Sequence, residues 1–139
     1  MKRLLYALLL VVSASLFTVQ AKAQVIVIAN PGVKASDVSK NDLKDVFTGA
    51  STSLSGGTVV PVLAKAGPAH EEFLQAYIGK NDAAYRAGWR SLVFSGQATM
   101  PKSVDGDAAV VEFVAHNAGA IGYIGKASAH DGVKVLSVK

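Results

Sequence analysis

No cysteine occurs in the 139-residue chain. That excludes disulfide staples, thiolate metal ligation and a lipid-modified cysteine behind a leader peptide. A clustered basic stretch is missing as well. The formal charge of +4 looks like that of a nucleic-acid binder, but removing Lys2, Arg3 and Lys22 with a leader lowers it to +1. The remaining Lys and Arg residues are scattered singly, whereas a phosphate-backbone binder needs several together to displace counterions, so no nucleic-acid partner is expected. His70-Glu71-Glu72 lacks the second histidine of the H-E-x-x-H zinc motif, and His116 and His130 lie far along the chain, so no metal or other cofactor is expected. No Ser/His/Asp constellation, thiol or paired-carboxylate motif supports an enzyme. Neither internal repeats nor low-complexity linkers appear.

What the chain does have begins at its start. Lys2 and Arg3 precede an almost unbroken apolar run from Leu4 to Val12, and Ala21-Lys22-Ala23 supplies the small-x-small pattern read by signal peptidase. The run is too short for a comfortable transmembrane helix. Residues 1–23 are therefore read as a signal peptide, and residues 24–139 as one periplasmic or secreted domain with no membrane span after cleavage. That length suits a single core burying roughly two-thirds of the unfolded surface.

Along the mature chain, Val25 to Ala29 is a β-branched run expected to be a strand covered on both faces. Ser39 and Asp42 give a capping-box pattern, with Leu43, Val46 and Phe47 as the buried stripe and Gly49 as the stop. The hydroxyl- and glycine-rich segment 50–58 reads as a turn or hairpin loop, and Val59 to Leu63 as a strand in which Pro61 suggests an edge or a strand end. Gly67-Pro68 opens a helix with Phe73/Tyr77 and Leu74/Ile78 as apolar pairs, ending at Gly79. Asn81 or Asp82 caps a third helix with Tyr85, Trp89, Leu92 and Val93 on one face; a loop from Ser95 to Ser103 follows. Asp105 caps a fourth helix that buries Val110, Phe113 and Val114. Strands at Ala120 to Ile124 and Val133 to Val138 close the chain. Tyr77, Tyr85, Trp89 and Phe94 are read as core aromatics, and His70 as a surface histidine. Arg86 and Arg90 form a like-charged i,i+4 pair that needs outside partners. This order implies an α/β fold with a small mixed sheet flanked by about four helices.

The segments VIANPGV, SKNDLKDVFTG, VVPVLAKAGPAHEEF, GWRSLVFSGQATMP and AGAIGYI, in this order and spacing, resemble the short phosphate-binding-protein-like family. Such chains are similar to one lobe of the phosphate ABC importer's substrate-binding subunit. The resemblance runs from Val25 to about Ile124. It implies a single lobe of a type II periplasmic-binding-protein-like fold, in a family that takes up or senses solutes through ABC-type systems. The family's oxyanion site uses an Arg-x-Asp-Gly-Ser-Gly-Thr segment between a strand and the next helix, where free N–H donors and hydroxyls meet the anion. With Phe73 as anchor, Leu63 falls at the arginine position and Lys65 at the aspartate; Gly67 and Ala69 fall at the serine and threonine positions. The arginine fork and both hydroxyls are absent, while the helix terminus remains and a lysine charge has been gained.

Lys65 and the backbone around Gly67 and Ala69 are accordingly the candidate ligand contacts, followed by Ser36, Ser39, Ser95 and Thr99. The expected function is an exported solute-binding domain that takes phosphate or another small oxyanion weakly. The alternative is a non-catalytic envelope interaction module that has lost its ligand. Expected partners are the oxyanion, an ABC permease or another envelope protein, and a second copy of the chain.

Overall fold

The computed structural model describes residues 24–139, so the leader read at 1–23 lies outside the described residues. The first strand, β1 (Val25–Ala29), runs through the middle of a six-stranded sheet. Val27 faces Tyr123 on one neighbour and Leu136 on the other. Burial on both faces is why this segment is β-branched almost throughout.

A two-residue strand β2 (Asp37–Val38) leads into α1 (Lys40–Thr48). Ser39 Oγ accepts from Asp42 N–H at 3.0 Å, as the capping pattern predicts, and Leu43, Val46 and Phe47 are buried. The segment after it folds into a hairpin of β3 (Ser53–Leu54) and β4 (Gly57–Thr58). Strand β5 (Val60–Ala64) follows, then α2 (Pro68–Phe73), which widens into a π-helical turn at Leu74–Ile78 and stops at Gly79. Next come α3 (Asp82–Phe94), β6 (Lys102–Val104), α4 (Gly106–His116), β7 (Ala120–Gly125) and β8 (Lys134–Val138).

The sheet order is β2-β8-β1-β7-β5-β6. Strands β5, β6 and β7 are mutually parallel, whereas β1 is antiparallel to β7 and β8. Pro61 sits at a strand end rather than at the sheet edge. Val60 N–H bonds Gly119 O on the β7 side, so by alternation the proline nitrogen faces the β6 side, where pairing begins only at Val62.

Helices cover both faces. On one face, the rings of Phe47, Phe73 and Tyr123 pack together, with Phe47 edge-on to Phe73 at 4.8 Å and to Tyr123 at 5.8 Å. The Phe47 carbonyl also accepts from Tyr85 Oη and, at 3.0 Å, from Trp89 Nε1, which fastens α1 to α3. On the other face, α4 lies directly on β7 at Gly122. A Cβ there would stand 2.8 Å from Val110 Cγ1 and from Val62 Cγ1, closer than carbon atoms pack.

Five expectations are corrected. The segment read as a loop from Ser95 to Ser103 ends in β6, whose three residues pair with Val62–Ala64. Phe94 is 97% exposed, and Val93 is exposed too. Phe94 lies nine residues after Tyr85, about half a turn round the helix at 3.6 residues per turn, so both cannot face the core. Phe113 is half-buried and carries Lys102 Nζ 6.0 Å above its ring. His70 is buried, at 1% exposure, instead of lying on the surface.

Candidate functional site

The carboxyl ends of β5, β6 and β7 open onto one cleft of about 550 Å³. This is the edge of an α/β sheet where ligands bind, because loops and helix N-termini converge there. Its first wall is the turn from β5 into α2. Gly67 caps α2 at φ 112°, a conformation that favours glycine, and Pro68 occupies the first helical position. The first backbone bond of the helix runs from Glu71 N–H to Gly67 O, and no side chain caps the terminus. The amides of Ala69 and His70 therefore have no acceptor within the helix.

The second wall comes from the turn into α4 and the loop after β7. Asp107, in the first turn of α4, accepts from Gly125 N–H at 2.9 Å and from Ser128 Oγ at 2.5 Å. A carboxylate of the chain thus already occupies the donors of this loop. Lys65 Nζ reaches Asp105 Oδ2 at 3.4 Å; both side chains are mostly exposed, so water screens the pair and it adds little stability. The remaining wall is Gln24 with Glu72. Gln24 N–H donates to Glu72 Oε1 at 2.6 Å, and Lys126 N–H donates to Gln24 O at 2.7 Å.

Behind the first wall lies a buried polar chain. His70 Nδ1 is 2.5 Å from Tyr123 Oη, and His70 Nε2 is 2.6 Å from Asp82 Oδ1. Tyr123 Oη also accepts from Ala64 N–H at 3.1 Å. Both ring nitrogens therefore have a partner, Nδ1 the tyrosine hydroxyl and Nε2 the carboxylate. Arg86 Nε donates to Asp82 Oδ1 at 2.8 Å, and Arg86 Nη2 to Lys65 O at 2.9 Å. The two residues Ala64 and Lys65 are therefore held at both ends, by the Ala64 N–H and by the Lys65 carbonyl, just where the chain enters the cleft.

These surroundings shift the acid groups. Burial pushes Asp82 up, but hydrogen bonds and charge from His70 and Arg86 outweigh it and hold the carboxyl below its ordinary 3.8. Burial drives the Tyr123 hydroxyl well above the usual phenol range, and raises that of Tyr85 to about 12. Neither phenol is a base or nucleophile near neutral pH.

Of the residues singled out in the sequence, Gly67 and Ala69 line the cleft, and Lys65 stands just before it in the chain, with its Nζ on Asp105. Ser36 and Ser39 flank β2, which three strands separate from β5, about 19 Å at the usual interstrand spacing. Ser39 Oγ is moreover engaged in its cap. Ser95 Oγ donates to Leu92 O at the end of α3, and Thr99 precedes β6, so both belong to the amino-terminal edge of the parallel strands. Asp107, Ser128, Glu72 and the His70 chain were not among the candidate ligand contacts; His70 and Glu72 were weighed only as part of a zinc motif. The one local signal was Asp82 four residues before Arg86, the spacing of a helical ion pair. No group of three or more His, Asp or Glu side chains able to hold a metal occurs among the described residues.

The sheet order and the two-sided helix cover define a single lobe of a type II periplasmic-binding-protein-like fold. Solved structures share it, and the resemblance noted in the sequence is thereby shown as a likeness of fold. PstS from Borrelia burgdorferi matches at 18% identity and a TM-score of 0.64, covering 84% of this chain and 47% of that one. A protein from Clostridium perfringens, assigned as a phosphate ABC transporter substrate-binding protein and solved with bound phosphate, matches at 20% identity and 0.63, covering 83% and 44%. An ABC-type phosphate transport receptor from Vibrio cholerae matches at 16% identity and 0.56, covering 83% and 46%. The chain spans less than half the length of each. No protein-family model and no curated protein matches it.

Proposed function

We propose that the chain is an exported, non-enzymatic solute-binding domain that takes a small oxyanion of the phosphate class in the cleft, in ABC-type uptake or sensing. The observation that carries this reading is the cleft's position at the carboxyl ends of three parallel strands, beside the uncapped start of α2. Ala69 and His70 offer backbone donors, Gly67 lets an anion approach the backbone, and Lys65 supplies charge. The fold likeness to phosphate-binding proteins supports the ligand class. One flexible ammonium replaces a planar guanidinium fork, so binding is weak and discriminates poorly between phosphate and sulfate. Export follows from the leader pattern, with cleavage between Ala23 and Gln24 and release into the periplasm or medium. An ABC permease is the partner this role requires.

A second reading is favoured by one specific contact. Asp107 sits on Gly125 N–H and Ser128 Oγ, the donors an anion would otherwise share, and its negative charge opposes an anion in the same cleft. On that reading the lobe is an envelope interaction module that binds another envelope protein or its own copy. Calorimetric titration of the periplasmic protein with phosphate, sulfate and molybdate at low salt separates the two. Heat saturating with any of them supports the solute-binding reading, and none with all three rejects it in favour of the interaction module.

A further inference from the structure

We propose that removal of the leader turns the Gln24–Glu72 hydrogen bond into an ion pair, which closes one wall of the cleft and protects Gln24 from cyclising. This rests on the cleavage between Ala23 and Gln24 proposed above. The Gln24 nitrogen lies 2.6 Å from Glu72 Oε1, and the Gln24 carbonyl is held by Lys126 N–H at 2.7 Å. Two bonds therefore fix this residue between the α2 run and the loop after β7, against the cleft. While bonded to Ala23, that nitrogen is a neutral amide with one hydrogen. Hydrolysis of the bond makes it a primary amine, with a pKa of about 8 in an unperturbed chain.

At neutral pH the group is an ammonium, and the bond to Glu72 becomes a charge-assisted one that favours the protonated form. The electrostatics of the cleft change with it. Before cleavage, the carboxylates of Glu72 and Asp107 share the cleft with one cation, Lys126. Afterwards a second cation, fixed in place by the backbone, balances the two carboxylates.

An amino-terminal glutamine carries a chemical hazard of its own. The lone pair of the free amine attacks the side-chain amide carbon, and a new C–N bond closes a five-membered lactam. The bond from that carbon to the side-chain nitrogen breaks, a proton passes from the attacking to the departing nitrogen, and ammonia leaves. An ammonium has no lone pair with which to begin. Pairing with Glu72 keeps the nitrogen protonated, and the bond from Lys126 holds the residue in line with β1, so the ring closes slowly.

The test uses protein exported and purified from the periplasm, as wild type, E72Q and E72D, with thermal melts to show that each is folded. Intact mass identifies the first residue and then follows the loss of one ammonia during incubation at neutral pH. Amine-selective labelling across pH reports protonation of the α-amine. E72Q is expected to cyclise and to label severalfold faster than wild type at neutral pH, with E72D, which keeps the charge at shorter reach, in between. If E72Q does not fold, the comparison of E72D with wild type decides. Equal rates in folded variants, or wild type that arrives wholly as the lactam, would overturn the proposal while leaving the cleavage reading intact. A mature chain beginning anywhere other than Gln24 would overturn both.

Discussion

The rings of Phe73 and Tyr123 lie flat on one another, with 4.0 Å between centroids and 4° between planes. This stack joins the end of α2 to the centre of β7, and directs the tyrosine hydroxyl into the bonds with His70 and Ala64. Tyr123→Phe would keep the stack and remove the oxygen alone. Two buried groups, the Ala64 amide and His70 Nδ1, would lose their partner, so the expected cost is about 2–4 kcal/mol. Urea denaturation of the protein measures it, and a change below experimental error would show that the hydroxyl contributes nothing net.

Phe47 is fully buried, and its ring packs edge-on against both members of that stack. Phe47→Ala is expected to cost about 3–5 kcal/mol through lost transfer energy and the cavity left behind. Ser39→Ala removes only the cap on Asp42 N–H, at about 1 kcal/mol. The two sites are remote enough in kind for the double variant to test additivity by thermal melting.

Acid should weaken the fold through Asp82. Its folded pKa lies below the ordinary 3.8, so its contribution is fully present above that value and disappears as pH falls through the lower folded one. Asp82→Asn should flatten this part of the stability–pH curve below about pH 4 and lower stability at neutral pH. Denaturation midpoints collected from neutral to strongly acid pH provide the check; a variant with the parent's acid slope would assign that slope to other carboxyls.

Two charge changes should move anion affinity in opposite directions. Lys65→Ala is expected to weaken phosphate binding severalfold, and added salt should weaken it in the wild type because the lysine is exposed. Asp107→Asn keeps the side chain's size while removing a negative charge, and should tighten binding severalfold. Titrations at one low ionic strength compare them. Phosphate binding indifferent to both changes would place the anion somewhere other than this cleft.

Much of the architecture was legible because it rests on local rules. Ser39 announces α1 through its cap, and Val25 to Ala29 announces a central strand through unbroken β-branching. β6 was not legible: Lys102-Ser103-Val104 has no period, and only pairing with β5 makes it a strand. The π-helical turn escapes for a similar reason, since helix and π turn present the same apolar pairs in sequence. At the cleft, the helix start at Gly67-Pro68 could be read from the sequence, whereas Lys65 was reached through the family resemblance anchored on Phe73. The burial of His70 could not, because its partners Tyr123 and Asp82 arrive from other elements. Phe94 was within reach of the sequence, since its helical phase relative to Tyr85 points away from the core.

Of the described strands, the first in the sequence is the one that needs the last. β1 is completed on one side by β7 and on the other by β8, at the far end of the chain. Until those strands exist, Val25 to Ala29 has no native hydrogen-bonding neighbour, and the sheet has no centre. A domain wired in this way has high contact order and cannot reach its native sheet while it is being made. Its folding clock therefore starts only once β8 has been made, and until then the central strand waits without partners.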